Sequence, residues 1–173
     1  NVFVVQGEGQ ARVKVIDFGL ARLQDWHTFG RGDLTGTAQI VGTPEYMSPE
    51  QASGPESKIG PASDVYSLGV LLYELLAGVL PLEAGQWGDR GVAAILHAIG
   101  EVETPLLSQR CARIPEAEGE SIAKARGCRW AELRRDLVGD LESIVAKAVE
   151  KDPGRRYASA REMAADLERY RRQ

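Results

Sequence analysis

The chain has 173 residues, a formal net charge of −4 from 21 basic and 25 acidic side chains, and an apolar share of 43%. That is globular composition for one ordinary domain, which excludes a disordered or fibrous chain, and the acidic balance argues against a general nucleic-acid binder, which would carry a basic footprint. Two cysteines, Cys111 and Cys128, are too few for a disulfide framework, and with His27 and His97 they do not make a zinc site of the usual spacing.

The chain opens Asn1-Val2-Phe3-Val4-Val5, without an initiator methionine, a basic n-region or a small-residue cleavage site. No targeting segment is read there, and residue 1 is not expected to be the natural start of a domain. Residues 2–5 and 13–16 are short β-branched runs separated by Gly7-Glu8-Gly9, which predicts a hairpin with a loop longer than the tightest turns. From Asp17 to about Ser48 no period is sustained and Gly, Thr, Asp and Pro dominate. A loop of that length inside a compact domain is usually functional.

Helical spacing then takes over. Val65, Leu68, Leu72, Leu75 and Leu76 predict a helix that Gly78 and Pro81 end. The apolar run from Val65 to Leu82 contains Glu74 and Pro81, so it reads as a core helix rather than a membrane span. It is apolar on most of its circumference, which marks a helix buried on all sides in a whole domain, and without the elements that would cover it an apolar patch is expected to face water. Val92, Ile95, Leu96 and Ile99 mark a shorter helix, whereas residues 100–128 show no clean period. Trp130, Leu133 and Leu137 suggest another turn or two. Leu141, Ile144, Val145, Ala148 and Val149 form an amphipathic face stopped by Asp152-Pro153-Gly154. Ser159-Ala160-Arg161-Glu162 reads as a capping box, with Met163, Leu167 and Tyr170 following on one face.

Four separated motifs carry the chemistry. Val15-Ile16-Asp17-Phe18-Gly19 ends a strand, and a carboxylate there, followed by a glycine, can present an oxygen to a hard cation such as Mg²⁺. Alone it reads as a turn aspartate. It is followed in order by Gly42-Thr43-Pro44-Glu45-Tyr46-Met47-Ser48-Pro49-Glu50, by Ser63-Asp64-Val65-Tyr66-Ser67-Leu68-Gly69, and by Asp152-Pro153-Gly154-Arg155-Arg156. With these in place the sequence resembles a eukaryotic-like (Hanks-type) Ser/Thr protein kinase, in the wording of bacterial members, from residue 1 to about Arg172.

The resemblance implies a mainly α (α+β) fold: a protein-kinase-like C-lobe with a short N-terminal β-hairpin, truncated before the catalytic loop. Residues 1–19 would be the hairpin and the D-F-G motif, 20–50 the activation segment and 51–173 the helical lobe. It implies ATP and Mg²⁺ as cofactors of the full-length parent, with Asp17 matching the metal-binding aspartate and Asn1 the asparagine that closes H-R-D-L-x-x-x-N. Thr43 matches the threonine that supports the catalytic groups in Ser/Thr kinases. Gly42, Thr43, Pro44, Glu45 and Tyr46 would position the substrate. Thr35 and Thr37 lie where bacterial kinases of this type are phosphorylated in the activation loop; the plain alternative is a solvated threonine pair. Glu50 and Arg156 match the partners of a structural ion pair, and Asp64 matches the aspartate that holds the catalytic-loop backbone.

Other parts of the family pattern are not found in these residues. No G-x-G-x-x-G precedes a strand, no V-A-I-K-like run occurs, and the catalytic aspartate would lie upstream of Asn1. The chain is therefore expected to be a fragment, inactive alone, from a cytoplasmic or membrane-face parent that phosphorylates protein Ser/Thr hydroxyls. Its expected partners are a protein substrate and the missing N-terminal lobe, with no nucleic acid and no membrane contact except through a parent anchor. The alternative is a truncated or degenerate kinase acting as a non-catalytic binding module. His27, His97, Cys111 and Cys128 match no family role. Arg169, Arg171 and Arg172 read as a solvated helix end, with a membrane-proximal basic tail as the alternative.

Overall fold

The computed structural model describes residues 2–6, 11–15, 44–53, 59–82 and 91–173. The chain divides into two units, Asn1–Gln39 and Ile40–Gln173. In the first, β1 (Val2–Gln6) and β2 (Ala11–Val15) pair antiparallel, with Val2 opposite Val15 and Gln6 opposite Ala11. The predicted hairpin is present, with its second strand starting two residues earlier than the β-branched run suggested. Backbone pairing carries the ladder to Ala11 and Arg12, whose side chains give no β signal. Every residue of both strands is exposed.

The second unit is helical. It begins with a 3₁₀ turn, Pro44–Tyr46, and α1 (Pro49–Ser53). The long helix α2 (Pro61–Ala77) follows, then α3 (Gly91–Glu101), α4 (Leu107–Cys111), α5 (Glu116–Lys124), α6 (Trp130–Asp136) and α7 (Asp140–Ala148). A second 3₁₀ turn, Pro153–Arg155, leads into α8 (Ala160–Arg171). Among the described residues no helix is long and apolar enough to cross a membrane.

Helix α2 is the axis of this unit. Pro61 occupies its first turn, where a missing N–H costs nothing. Gly78 ends it with φ +78°, donating its N–H to the Glu74 carbonyl at 2.8 Å. A β-carbon at Gly78 would sit 2.7 Å from Ile122 of α5, so only glycine closes this end. The buried face is Val65, Tyr66, Gly69, Val70, Tyr73 and Ala77. This corrects one expectation, since Leu68 and Leu75, placed on the core face by spacing alone, are exposed, and it agrees with another, that an apolar patch of this helix faces water in these residues. The helix is apolar nearly all round, so leucine spacing could not select a face. The tyrosines turn inward because Tyr73 finds the Pro105 carbonyl at 3.1 Å, and Gly69 faces α7 because a β-carbon there would lie 2.8 Å from that of Ala148.

The stretch without a clean period, 100–128, contains α4 and α5. Both are short, and tertiary packing rather than periodicity holds them. Leu107, Cys111, Ile114 and Ala123 join Trp130, Leu133 and Leu137 in a core against Tyr73 and Ala77 of α2. Val65, Ile144, Ala148, Tyr157 and Met163 make a second cluster where α7 and α8 meet α2. Helix α7 stops at Ala148, ahead of Asp152-Pro153-Gly154, which forms the 3₁₀ turn with the Asp152 carboxylate accepting the Gly154 N–H at 3.0 Å. At the start of α8, Ser159 Oγ accepts the Glu162 N–H at 3.3 Å, as a capping box requires. The return bond differs: Glu162 accepts from the Ala158 N–H, one residue before the cap.

Candidate functional site

The segment 44–53 is built to aim two side chains at α2. Pro44 starts a tight turn closed by the Met47 N–H donating to the Pro44 carbonyl at 2.9 Å. Ser48 is fully buried and caps α1: its carbonyl accepts from Gln51 and Ala52, while Gln51 Oε1 accepts both the Ser48 N–H (2.9 Å) and hydroxyl (3.0 Å). With Pro49 at the first helical position, this cap directs Glu50 inward.

Glu50 and Arg156 meet, as the sequence motifs predict. Arg156 Nη1 donates to Glu50 Oε1 at 2.7 Å and Nη2 to Oε2 at 2.8 Å, a two-pronged pair with both side chains essentially buried. The remaining guanidinium protons go to backbone carbonyls: Nη1 to Ala62 (2.9 Å), Nη2 to Lys151 (3.0 Å) and Nε to Glu150 (2.7 Å). All five donors are therefore satisfied. The Tyr66 ring lies 5.0 Å from the guanidinium carbon, adding a cation–π contact, and burial pushes its own phenol up to about 12. Ser63 completes the cluster, donating its hydroxyl to Glu50 Oε1 at 2.6 Å. Burial alone would raise the Glu50 carboxyl. The hydrogen bonds from Arg156 and Ser63 outweigh that and bring it down to about 2.

The other end of the segment is pinned to the same helix. Tyr46 donates its phenol to the Glu74 carboxylate, and its carbonyl accepts from Ser67 Oγ at 2.8 Å. Burial, reinforced by the Glu74 and Glu45 carboxylates, pushes the Tyr46 phenol up to about 12, so it stays a donor. Ser63, Ser67 and Glu74 thus hold the segment at Glu50 and Tyr46. The sequence reading did not assign them. Each carries a signal in the sequence: Ser63 and Ser67 are one helical turn apart, and Glu74 is a lone carboxylate inside an apolar run.

Of the other predicted residues, Pro44 is buried and Glu45 half-buried in the 3₁₀ turn. Asp64 is exposed in the first turn of α2, where a carboxylate suits the helix N-terminus. Asn1, Asp17, Thr35, Thr37, Gly42 and Thr43 lie outside the described residues. Among the described residues no group of His, Cys, Asp and Glu is placed to hold a metal ion.

Residues 1–166 match the protein kinase domain. The chain belongs to the protein kinase family. It is 37% identical to the serine/threonine-protein kinase PknB of Mycobacterium tuberculosis over 91% of its length, and 36% identical to the probable serine/threonine-protein kinase PknB of Bifidobacterium longum over 93%. A probable serine/threonine-protein kinase of Clostridium perfringens is 31% identical over 99% of the chain. The chain spans about a fifth of the length of these relatives (20%, 19% and 20%). These likenesses place the kinase chain in the bacterial Hanks-type Ser/Thr branch, a transferase class.

Proposed function

We propose that this chain is the C-terminal lobe of a kinase domain that, when whole, transfers the γ-phosphoryl group of ATP to Ser or Thr hydroxyls of a protein. The observation that carries the reading is the double anchorage of segment 44–53 on α2, at Tyr46 through Glu74 and Ser67 and at Glu50 through Arg156 and Ser63. A segment that orients a flexible protein substrate has to be rigid, because misplacing the acceptor by an ångström costs much of the rate. In this reading Gly42 to Tyr46 position the residue beside the acceptor, Thr43 supports the catalytic groups, and phosphate on Thr35 or Thr37 orders the preceding loop.

Asp17 and Asn1 offer hard oxygen donors of the kind Mg²⁺ takes, and both are assigned to it. Held by these two residues together with ATP, Mg²⁺ would supply neutralisation of the charge that develops during transfer. Asp64 holds the backbone of the catalytic loop, and exposed Leu68 and Leu75 of α2 receive the part of the domain that carries the catalytic aspartate. Residues 1–173 contain no Gly-rich loop, no β3 lysine and no catalytic-loop aspartate, so by themselves they do not catalyse.

The test compares purified 1–173 with the protein produced from its complete natural gene, each given Mg-ATP and a generic protein acceptor. Transfer by the complete protein and none by 1–173 is expected. Transfer by 1–173 would overturn the assignment of its missing parts. A complete protein that transfers nothing would favour a non-catalytic binding module.

A further inference from the structure

Helix α3 packs against α1 and against the Pro44–Tyr46 turn, so segment 44–53 is bounded by α3 as well as by α2. The last turn of α3 carries no basic side chain and ends in Glu101, although a helix C-terminus leaves carbonyls without partners and favours a cation. The cation comes from elsewhere in the chain. Lys151, half-buried in the turn after α7, donates from Nζ to the carbonyl of buried Ile99 in that last turn, at 2.6 Å.

The same residue touches the Glu50 anchorage. Its backbone carbonyl accepts from Arg156 Nη2 at 3.0 Å, and that nitrogen also donates to Glu50 Oε2 at 2.8 Å. Lys151 thus holds α3 with its side chain and the Arg156–Glu50 pair with its backbone, and both supports bear on α1.

We propose that Lys151 is a positioning residue for the protein acceptor, clamping α3 against segment 44–53 through the Ile99 carbonyl. The inference rests on the reading of that segment as the support of the acceptor. Without the Nζ donor, the Ile99 carbonyl loses this bond and the last turn of α3 loses its cation. An α3 free to shift leaves one side of α1 unsupported, and segment 44–53 is then in place for only part of the time. An acceptor binds such a segment with its affinity reduced by that fraction, whereas the chemistry of an acceptor already bound is unchanged. At pH 7 the side chain is still mainly the ammonium, since burial brings it down only to about 8; Arg156 pushes the same way, and Glu103 and Glu101 oppose them.

The test compares the protein from its complete natural gene with its Lys151→Met variant, which keeps most of the side-chain length without a donor, at pH 7 with Mg-ATP and a generic protein acceptor. The variant is expected to raise KM for the acceptor about tenfold, the lower end of what a hydrogen bond from a charged group contributes. Its kcat and its KM for ATP are expected to stay within about twofold of the wild type. Hydrogen exchange read by mass spectrometry, with no acceptor present, is expected to quicken in segment 44–53 and α3 and not in α8. An unchanged KM for the acceptor, a loss shared equally between kcat and both KM values, or unchanged exchange in segment 44–53 would each overturn the proposal. A wild type that transfers nothing overturns the phosphoryl-transfer reading and this proposal with it, a result distinct from an active wild type matched by its variant.

Discussion

Replacing Glu50 by glutamine keeps the shape of the side chain and removes its charge, leaving Arg156 buried with no counterion. Breaking one side of a buried pair costs about 3–5 kcal/mol. An independent figure follows from the carboxyl itself: its fall from 4.5 to about 2 corresponds to about 3 kcal/mol of stability at neutral pH. Because the folded-state value is the depressed one, that stability is fully present above pH 4.5 and drains away as the pH falls towards 2. Glu50→Gln has no carboxyl to protonate at this position and lacks that acid limb. Urea denaturation of the kinase domain, produced from its natural gene, should therefore show a gap of about 3–5 kcal/mol at pH 7 that narrows steeply between pH 4.5 and 2. A gap below about 1 kcal/mol at pH 7, within the range of an exposed pair, would refute the reasoning. So would a gap that is the same at pH 2 and pH 7.

Three further outcomes follow from the same structure. Gly69→Ala drives a β-carbon to 2.8 Å from those of Ala148 and a Val149 methyl, and should lower the denaturation midpoint by the equivalent of about 1–3 kcal/mol; an unchanged midpoint would mean α2 and α7 are not so close. Tyr46→Phe removes a hydrogen bond to a carboxylate, which should cost about 1–2 kcal/mol by urea denaturation and slow substrate phosphorylation, whereas an unchanged rate would detach Tyr46 from substrate positioning. Mass spectrometry of the active protein should find phosphate on Thr35 or Thr37, and the double alanine variant should be slower; equal rates would remove the regulatory role.

Legibility in the sequence varied with the kind of signal. Separated motifs were read well because each is short and its order is informative: Glu50 and Arg156 are far apart in the chain, yet they meet as expected. Strong amphipathic stretches were legible too, with Ile144, Val145, Ala148 and Val149 buried together. The side of α2 that faces the core was not. Leu68 and Leu75 have the spacing of a core stripe, but Tyr66 and Tyr73 took it, through hydroxyl partners and close approaches that no period encodes. Helices α4 and α5 escaped for a related reason. They are too short to stand alone, and Leu107, Cys111 and Ala123 are held by Tyr73 and Trp130, distant in sequence. The anchoring roles of Ser63 and Glu74 are likewise tertiary, since each acts on a segment more than ten residues upstream.

The reading of this chain as part of a phosphoryl-transferring enzyme is tested most directly at Asp17, the residue proposed to hold Mg²⁺. The measurement is phosphoamino-acid analysis of a protein acceptor after reaction with labelled Mg-ATP, using the protein from its complete natural gene and its Asp17→Asn variant. Phosphoserine and phosphothreonine are expected from the wild type, and from the variant a loss of at least about a hundredfold, the scale of removing one preorganised charge-stabilising group. Phosphotyrosine as the main product, or a variant as active as the wild type, would contradict the account.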